Sequence, residues 1–245
     1  MKICVAQTRP ITGDIAANCD RHSQFVMRAV ALGADLIVFP ELSITGYEPT
    51  LAKDLAVEVG DRRFDRFQTI SDAHAITIGI GAPTQHQTGI CISLLLFQPQ
   101  QPRQLYSKMH LHGDEEPCFV PGPAATGLIG PNGQVALAIC YELSVPEHAA
   151  NAARNGAGIY LASVAKSVDG VVKASSRLRA IARDHAMAVL MVNCVGLADG
   201  MDCPGQTSVW NHQGTLLHQL DSEEGMILYD TATQSVLGQR FSDLR

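Results

Sequence analysis

The sequence predicts an α/β protein whose helices pack against a mixed sheet. Two observations carry that prediction. Short apolar runs of strand length alternate along the chain with segments whose apolar residues recur at helical spacing. The strand-like runs are continuous rather than alternating, the pattern of strands buried on both faces.

The elements follow in order. Residues 2–8, KICVAQT, form a first strand, and residues 14–34 a helix that stops at Gly33. Residues 35–42, DLIVFPEL, are a continuous apolar run of strand length, and residues 61–75 supply a second helix. ITIGIGAP, GICISLLLF and RQLYSKMHL read as three further strands with turn chemistry between them. In ATGLIGPNGQVALAIC, Pro-Asn-Gly separates two apolar runs and marks a hairpin. VPEHAANAARNG is helical, with Pro146 in its first turn and Gly156 at its end. GIYLASVA is a buried strand, GVVKASSRLRAIARDHA a helix and MAVLMVNCVG a strand again. The tail, QTSVWNHQGTLLHQL and then EEGMILYDT, is expected to hold three strands. No internal repeat and no low-complexity linker divides the chain, so residues 1–245 are expected to form a single domain.

Composition narrows the class. Hydrophobic residues make up 46% and charged residues 17%, ample for a buried core. A net charge of -6 offers no basic face for nucleic acid. No apolar run is long enough to span a membrane, and MKICVAQTRP does not resemble a signal peptide. The seven cysteines are odd in number, scattered and mostly inside apolar runs, and no Cys-x-x-Cys pair occurs. A reducing, cytoplasmic setting is expected.

Three residues stand where apolar runs end. Cys140 closes VALAIC just before a helix-start signature. A strand-to-helix junction offers backbone N–H groups and a positive dipole end, which would stabilise a thiolate. The bland alternative is one more buried cysteine. Glu41 follows the run ending in Phe39 and Pro40; partial burial would raise its pKa toward that of a useful base, whereas most glutamates are simply exposed. Lys108 ends another strand pattern, before an irregular acid-bearing loop, and would supply a cation; most lysines are solvated. A nucleophile, a base and a cation are the parts that covalent catalysis needs.

In this order the motifs resemble the nitrilase, or carbon–nitrogen hydrolase, superfamily, over almost the whole chain. FPELSITGY resembles its first motif, YSKMHL its second and ICYELSVPE its third. MKICVAQ, FVPG, RAIARDHAMAVLMVNCVG and GQTSVWNHQGTLL resemble its remaining blocks. The resemblance implies a four-layer α-β-β-α sandwich that commonly pairs into a homodimer. It implies Glu41 as general base, Lys108 as oxyanion lysine and Cys140 as nucleophile. A second glutamate usually follows the lysine; here the short HGDEEPCF loop offers Glu115 and Glu116, and spacing from FVPG favours Glu115. Tyr141 would present its backbone N–H to the oxyanion, and as the residue after the nucleophile it fits amidase-like branches better than true nitrilases.

The implied reaction is hydrolysis of a small carboxamide or N-carbamoyl compound through a thioester, with release of ammonia. Tyr47 and residues 163–166, including Val164 and Ala165, are expected to line the pocket, and Lys166 would meet either solvent or a substrate carboxylate. Glu142 is expected to hold the turn by hydrogen bonds. His148 lies too far along its helix to serve Cys140. His110 and His112, on one face of an extended strand, would form a metal pair, but no third ligand accompanies them, so no metal and no cofactor is expected. Two other readings remain open: acyl transfer to an amine, and a member that binds without turnover. The lipid-acting acyltransferases of the superfamily carry membrane spans, which this sequence lacks.

Overall fold

The computed structural model describes residues 1–243. In the first half, β1 (Lys2–Gln7) leads to α1 (Ile15–Ala31), β2 (Leu36–Val38), a short α2 (Ala52–Leu55) and α3 (Asp65–His74). β3 (Thr77–His86), β4 (Gly89–Phe97) and β5 (Gln104–Ser107) follow. The second half runs β6 (Leu128–Ile129), β7 (Val135–Ile139), α4 (Pro146–Arg154), β8 (Ile159–Ser163), α5 (Val168–His185) and β9 (Ala188–Val192). It closes with β10 (Val195–Ala198), β11 (Met201–Pro204), β12 (Ser208–Trp210), β13 (Leu216–Gln219), β14 (Gly225–Asp230) and β15 (Val236–Arg240).

The strands form two large sheets, where residue pattern alone had suggested one. A 7-stranded sheet has the order β15-β14-β1-β2-β3-β4-β5, and a 6-stranded sheet the order β13-β12-β9-β8-β7-β6. β1, β2 and β3 run parallel, as do β7, β8 and β9; the flanking strands are antiparallel. Alternate side chains explain the layering. Ile3 and Val5 of β1, Leu36 and Val38 of β2, Leu137 and Ile139 of β7, and Leu190 and Val192 of β9 share one core between the sheets. The intervening Cys4, Ala6 and Ile37 face Phe25, Val26 and Phe67 of α1 and α3. Ala136, Ala138, Tyr160 and Met191 face Ala149, Leu178 and Ala182 of α4 and α5. Both faces of each central strand are therefore apolar, which is why their sequences read as continuous runs. The four-layer sandwich is present.

Several boundaries differ from expectation. β2 stops at Val38, because Pro40 has no N–H to donate and the chain turns at once. MAVLMVNCVG is two strands: at Asn193 the backbone N–H goes to Thr207 Oγ1 (3.0 Å), interrupting the ladder before β10. The β10–β11 hairpin and β15 were not read from the sequence.

Candidate active site

The ends of β2, β5, β7 and β8 converge between the two sheets. At the end of β2, Phe39 N–H still pairs with Gly79 O (2.9 Å), and the following turn lies directly on β3. Gly81 makes that approach possible. A Cβ there would stand 2.2 Å from Pro40 O and 2.6 Å from Leu42 N, so no larger residue fits without moving the Glu41 turn. Behind the turn, His22 accepts or donates at Ser43 Oγ (2.9 Å), bonds Asn18 O through Nδ1 (2.7 Å) and stacks on Phe39. The Ser163 hydroxyl at the end of β8 donates to Phe39 O (2.8 Å) and ties the two sheets together.

Glu41 is 2% exposed, Lys108 0% and Glu115 1%. The Lys108 ammonium donates to Glu41 Oε1 at 2.7 Å and to Glu115 Oε1 at 2.6 Å. The solvated alternatives for Glu41 and Lys108 are thus excluded. Glu115 is held in turn by Tyr47 OH (3.0 Å) and by His112 N–H on Oε2 (2.8 Å), whereas Glu116 is exposed. The choice between the two glutamates falls on Glu115. Glu116 instead borders a cavity of about 670 Å³ with Lys53, His86 and Phe119, which none of Glu41, Lys108 and Cys140 lines.

Cys140 follows β7 with φ +43°, a left-handed conformation that costs a non-glycine residue on the order of 1 kcal/mol. Glu142 fixes the turn. Its Oε2 accepts from Ile139 N–H (2.8 Å) and Tyr106 OH (2.7 Å), and its Oε1 from Met109 N–H (2.7 Å), the residue after Lys108. Glu142 therefore joins the Cys140 turn to the Lys108 strand end, the holding role expected of it. His148 is buried against Tyr106 OH and Tyr160 OH (2.9 Å each) and does not serve Cys140. The opposite wall is Ala165, whose N–H donates to Glu41 Oε2 (3.2 Å) and whose carbonyl lies 3.9 Å from Cys140 Sγ.

The charges follow from this burial. Desolvation raises the Glu41 carboxyl, Lys108 opposes that and the Glu115 charge adds to it; hydrogen bonds from Lys108 and the Cys140 thiol pull back. For Lys108, burial favours the neutral amine, but Glu41, Cys140 and Glu115 outweigh it and hold the ammonium above its usual range. Burial and then Glu41 push the Cys140 thiol up to about 11, against Lys166 and Lys108, which lower it. This overturns the expectation of a stabilised thiolate. Cys140 opens only a short 3-10 turn, Cys140–Ser144, with little dipole, and the nearby carboxylates oppose a second negative charge. The thiol rests protonated beside a carboxylate.

The remaining expected pocket residues divide. Ala165 borders the cluster. Tyr141 is 37% exposed and meets the His112 ring edge-on at 5.2 Å, and Tyr47 reaches the cluster through Glu115. Val164 is fully buried, and its side chain packs in the core cluster shared with α4 and α5, against which Cys140 also packs. His110 and His112 lie beyond β5, in a loop rather than a strand; His110 faces the His148 ring and His112 bonds Asp114. Among the described residues no group of three or more His, Cys, Asp or Glu side chains could hold a metal ion. Sequence reasoning missed Asn193, whose fully buried amide bonds the backbone of Lys166 and Gly205. Its signal was available: like Glu41 and Lys108, it is a polar residue closing an apolar run.

The carbon–nitrogen hydrolase family model matches residues 2–239. The chain belongs to the carbon–nitrogen hydrolase family. It is a hydrolase of carbon–nitrogen bonds in the amidase-like branch of that superfamily. It is 27% identical over 245 residues to a hydrolase of Pseudomonas protegens encoded in the pqqF 5' region, covering 98% of this chain and 85% of that one. It is 27% identical over 231 residues to an (R)-stereoselective amidase of Pseudomonas sp., covering 91% and 82%. The fold matches an amidase of Nesterenkonia sp. AN1 with a TM-score of 0.84 at 25% identity, over 94% of this chain and 92% of that one. That structure is a glutamate-to-glutamine variant in which acrylamide has added to the active-site cysteine. No helix among the described residues is long and apolar enough to cross a membrane.

Proposed function

We propose that the protein is an amidase that cleaves small carboxamides or N-carbamoyl compounds through a thioester on Cys140, releasing ammonia. The observation that carries this reading is the single ammonium of Lys108 held between Glu41 and Glu115, with the Ala165 peptide joining base and thiol: its N–H meets Glu41 Oε2 and its carbonyl the Cys140 thiol. The Michael addition of acrylamide to the active-site cysteine of the Nesterenkonia amidase supports Cys140 as the nucleophile.

Glu41 takes the thiol proton as Sγ attacks the carbonyl carbon. Because the thiol rests protonated, deprotonation and attack are coupled, and the raised Glu41 carboxyl suits a group that must hold that proton. The oxyanion meets Lys108 and the N–H of Tyr141, which lies in a first helical turn where no intrahelical acceptor is available. Glu41 passes its proton to the leaving nitrogen, the C–N bond breaks and ammonia departs. Glu41 then removes a proton from water, whose oxygen attacks the thioester; the C–S bond breaks, Sγ regains a proton and the acid is released. Glu115 keeps Lys108 charged and aimed. Tyr47, Tyr141 and Ala165 border the substrate.

We also propose a homodimer formed through outer helices, with Val168 and Val172 of α5 as exposed apolar surface, and a cytoplasmic setting in keeping with seven free thiols. Sedimentation of the purified chain tests the first. The function is tested by screening ω-amides, N-carbamoyl compounds and matched nitriles for released ammonia. Amides should be turned over faster than the corresponding nitriles, and hydroxylamine should divert the acyl group to a hydroxamate. Turnover without any hydroxamate would contradict the acyl-enzyme, and faster nitrile turnover would contradict the amidase reading.

A further inference from the structure

We propose that Lys166 recognises a carboxylate on the substrate, so that the preferred amides are those whose acyl part carries a second, ionised carboxyl group. This deepens the amidase reading and depends on it.

Lys166 directly follows Ala165, the residue that touches both Glu41 Oε2 and the Cys140 thiol. Its backbone is clamped from both sides by one buried side chain: its N–H donates to Asn193 Oδ1 at 2.9 Å, and Asn193 Nδ2 donates to its carbonyl at 3.1 Å. Its Cβ and Cγ lie 3.3 and 3.6 Å from where a Cβ on Gly170 would stand, so the stem packs on the first turn of α5. The base of this side chain is therefore fixed beside the catalytic cluster.

Its charged end is unused. Among the described residues no carboxylate pairs with Lys166, and its only hydrogen bonds are those of its backbone. Lys108, by contrast, is committed to two carboxylates. In a chain with 24 acidic and 18 basic residues, a partly buried lysine next to a nucleophile with no acid partner is an open position for an anion. The Lys166 charge is also felt at the sulfur, where it opposes the rise that burial and Glu41 impose on the Cys140 thiol. An ammonium accepts a carboxylate from several directions, so it tolerates some variation in the length of the acyl chain.

The test compares kcat/KM for the monoamides of four- and five-carbon dicarboxylic acids with butanamide and pentanamide, in the wild type, Lys166→Met and Lys166→Arg. The wild type should prefer the anionic amides, and added salt should narrow that preference. The anionic-to-neutral ratio should fall by roughly tenfold or more in Lys166→Met, the scale of one lost charge-assisted hydrogen bond, and recover in Lys166→Arg. A ratio that Lys166→Met leaves unchanged, including an equal loss on both amide classes, overturns the assignment while leaving the amidase reading intact. Turnover of no amide by the wild type overturns both.

Discussion

The Glu142 carboxylate accepts the N–H of Ile139 at 2.8 Å and so closes the turn that carries Cys140. The same carboxylate accepts Met109 N–H and Tyr106 OH. Glu142→Gln would aim an amide donor at one of three donors and leave a buried group unpaired. Stability should fall by about 1–3 kcal/mol, and kcat should fall with it as the turn loses its tie to the Lys108 strand. Urea denaturation and initial rates check this; an unchanged midpoint would mean that the carboxylate does not hold the turn.

Strain at Cys140 predicts an opposite effect of another substitution. Glycine adopts φ +43° freely, so Cys140→Gly should be more stable than Cys140→Ala by about 1 kcal/mol. Both variants should lack turnover. Calorimetric melting of the pair decides it, and equal stability would show that the turn is not strained.

Gly81→Ala should separate the base from the thiol. A Cβ 2.2 Å from Pro40 O must push the Glu41 turn off β3. The expected result is a lower melting temperature and a loss of kcat of roughly 10² or more, since proton transfer needs hydrogen-bond contact. Wild-type kcat in Gly81→Ala would contradict the close approach.

Buried histidine sets the response to acid. Desolvation, against the Asn18 backbone bond, lowers His22 from 6.5 to about 3, and burial lowers His148 in the same direction. Above pH 6.5 the unfolded chain binds no extra proton, and the full stability is present. As pH falls from 6.5 toward 3 the unfolded His22 is protonated while the folded one is not, so stability declines by up to about 1.4 kcal/mol per pH unit from this group. Denaturation at pH 7.5 and 5.5 should show a larger loss for the wild type than for His22→Gln. Equal losses would mean that His22 is not held neutral.

Glu41, Lys108 and Cys140 were legible because each interrupts an apolar run at its end, where a buried strand delivers a polar side chain to the gap between sheets. The pairing of Glu115 rather than Glu116 with Lys108 is settled by which one turns inward. Tyr106 and Asn193 escaped notice, and Ser163 was expected only as pocket lining, since their work is done by contacts such as Ser163 to Phe39 across 124 residues of chain. The thiol was misjudged because a strand-to-helix junction suggests a dipole, whereas burial and carboxylates dominate here. Continuous apolar runs showed burial on both faces but not that a second sheet, in addition to helices, provides it.

The central claim is a covalent bond between the acyl carbon and Cys140 Sγ. With an amide that the wild type hydrolyses, enzyme quenched in acid during turnover should carry that species, and Glu41→Gln, lacking the proton acceptor of the first step, should form it far more slowly. Intact-protein mass spectrometry should show one added acyl mass, and peptide mapping should place it on Cys140 and not on Cys19 or Cys203. An adduct on another cysteine, or none on the quenched wild type together with no hydroxamate from hydroxylamine, would contradict the account.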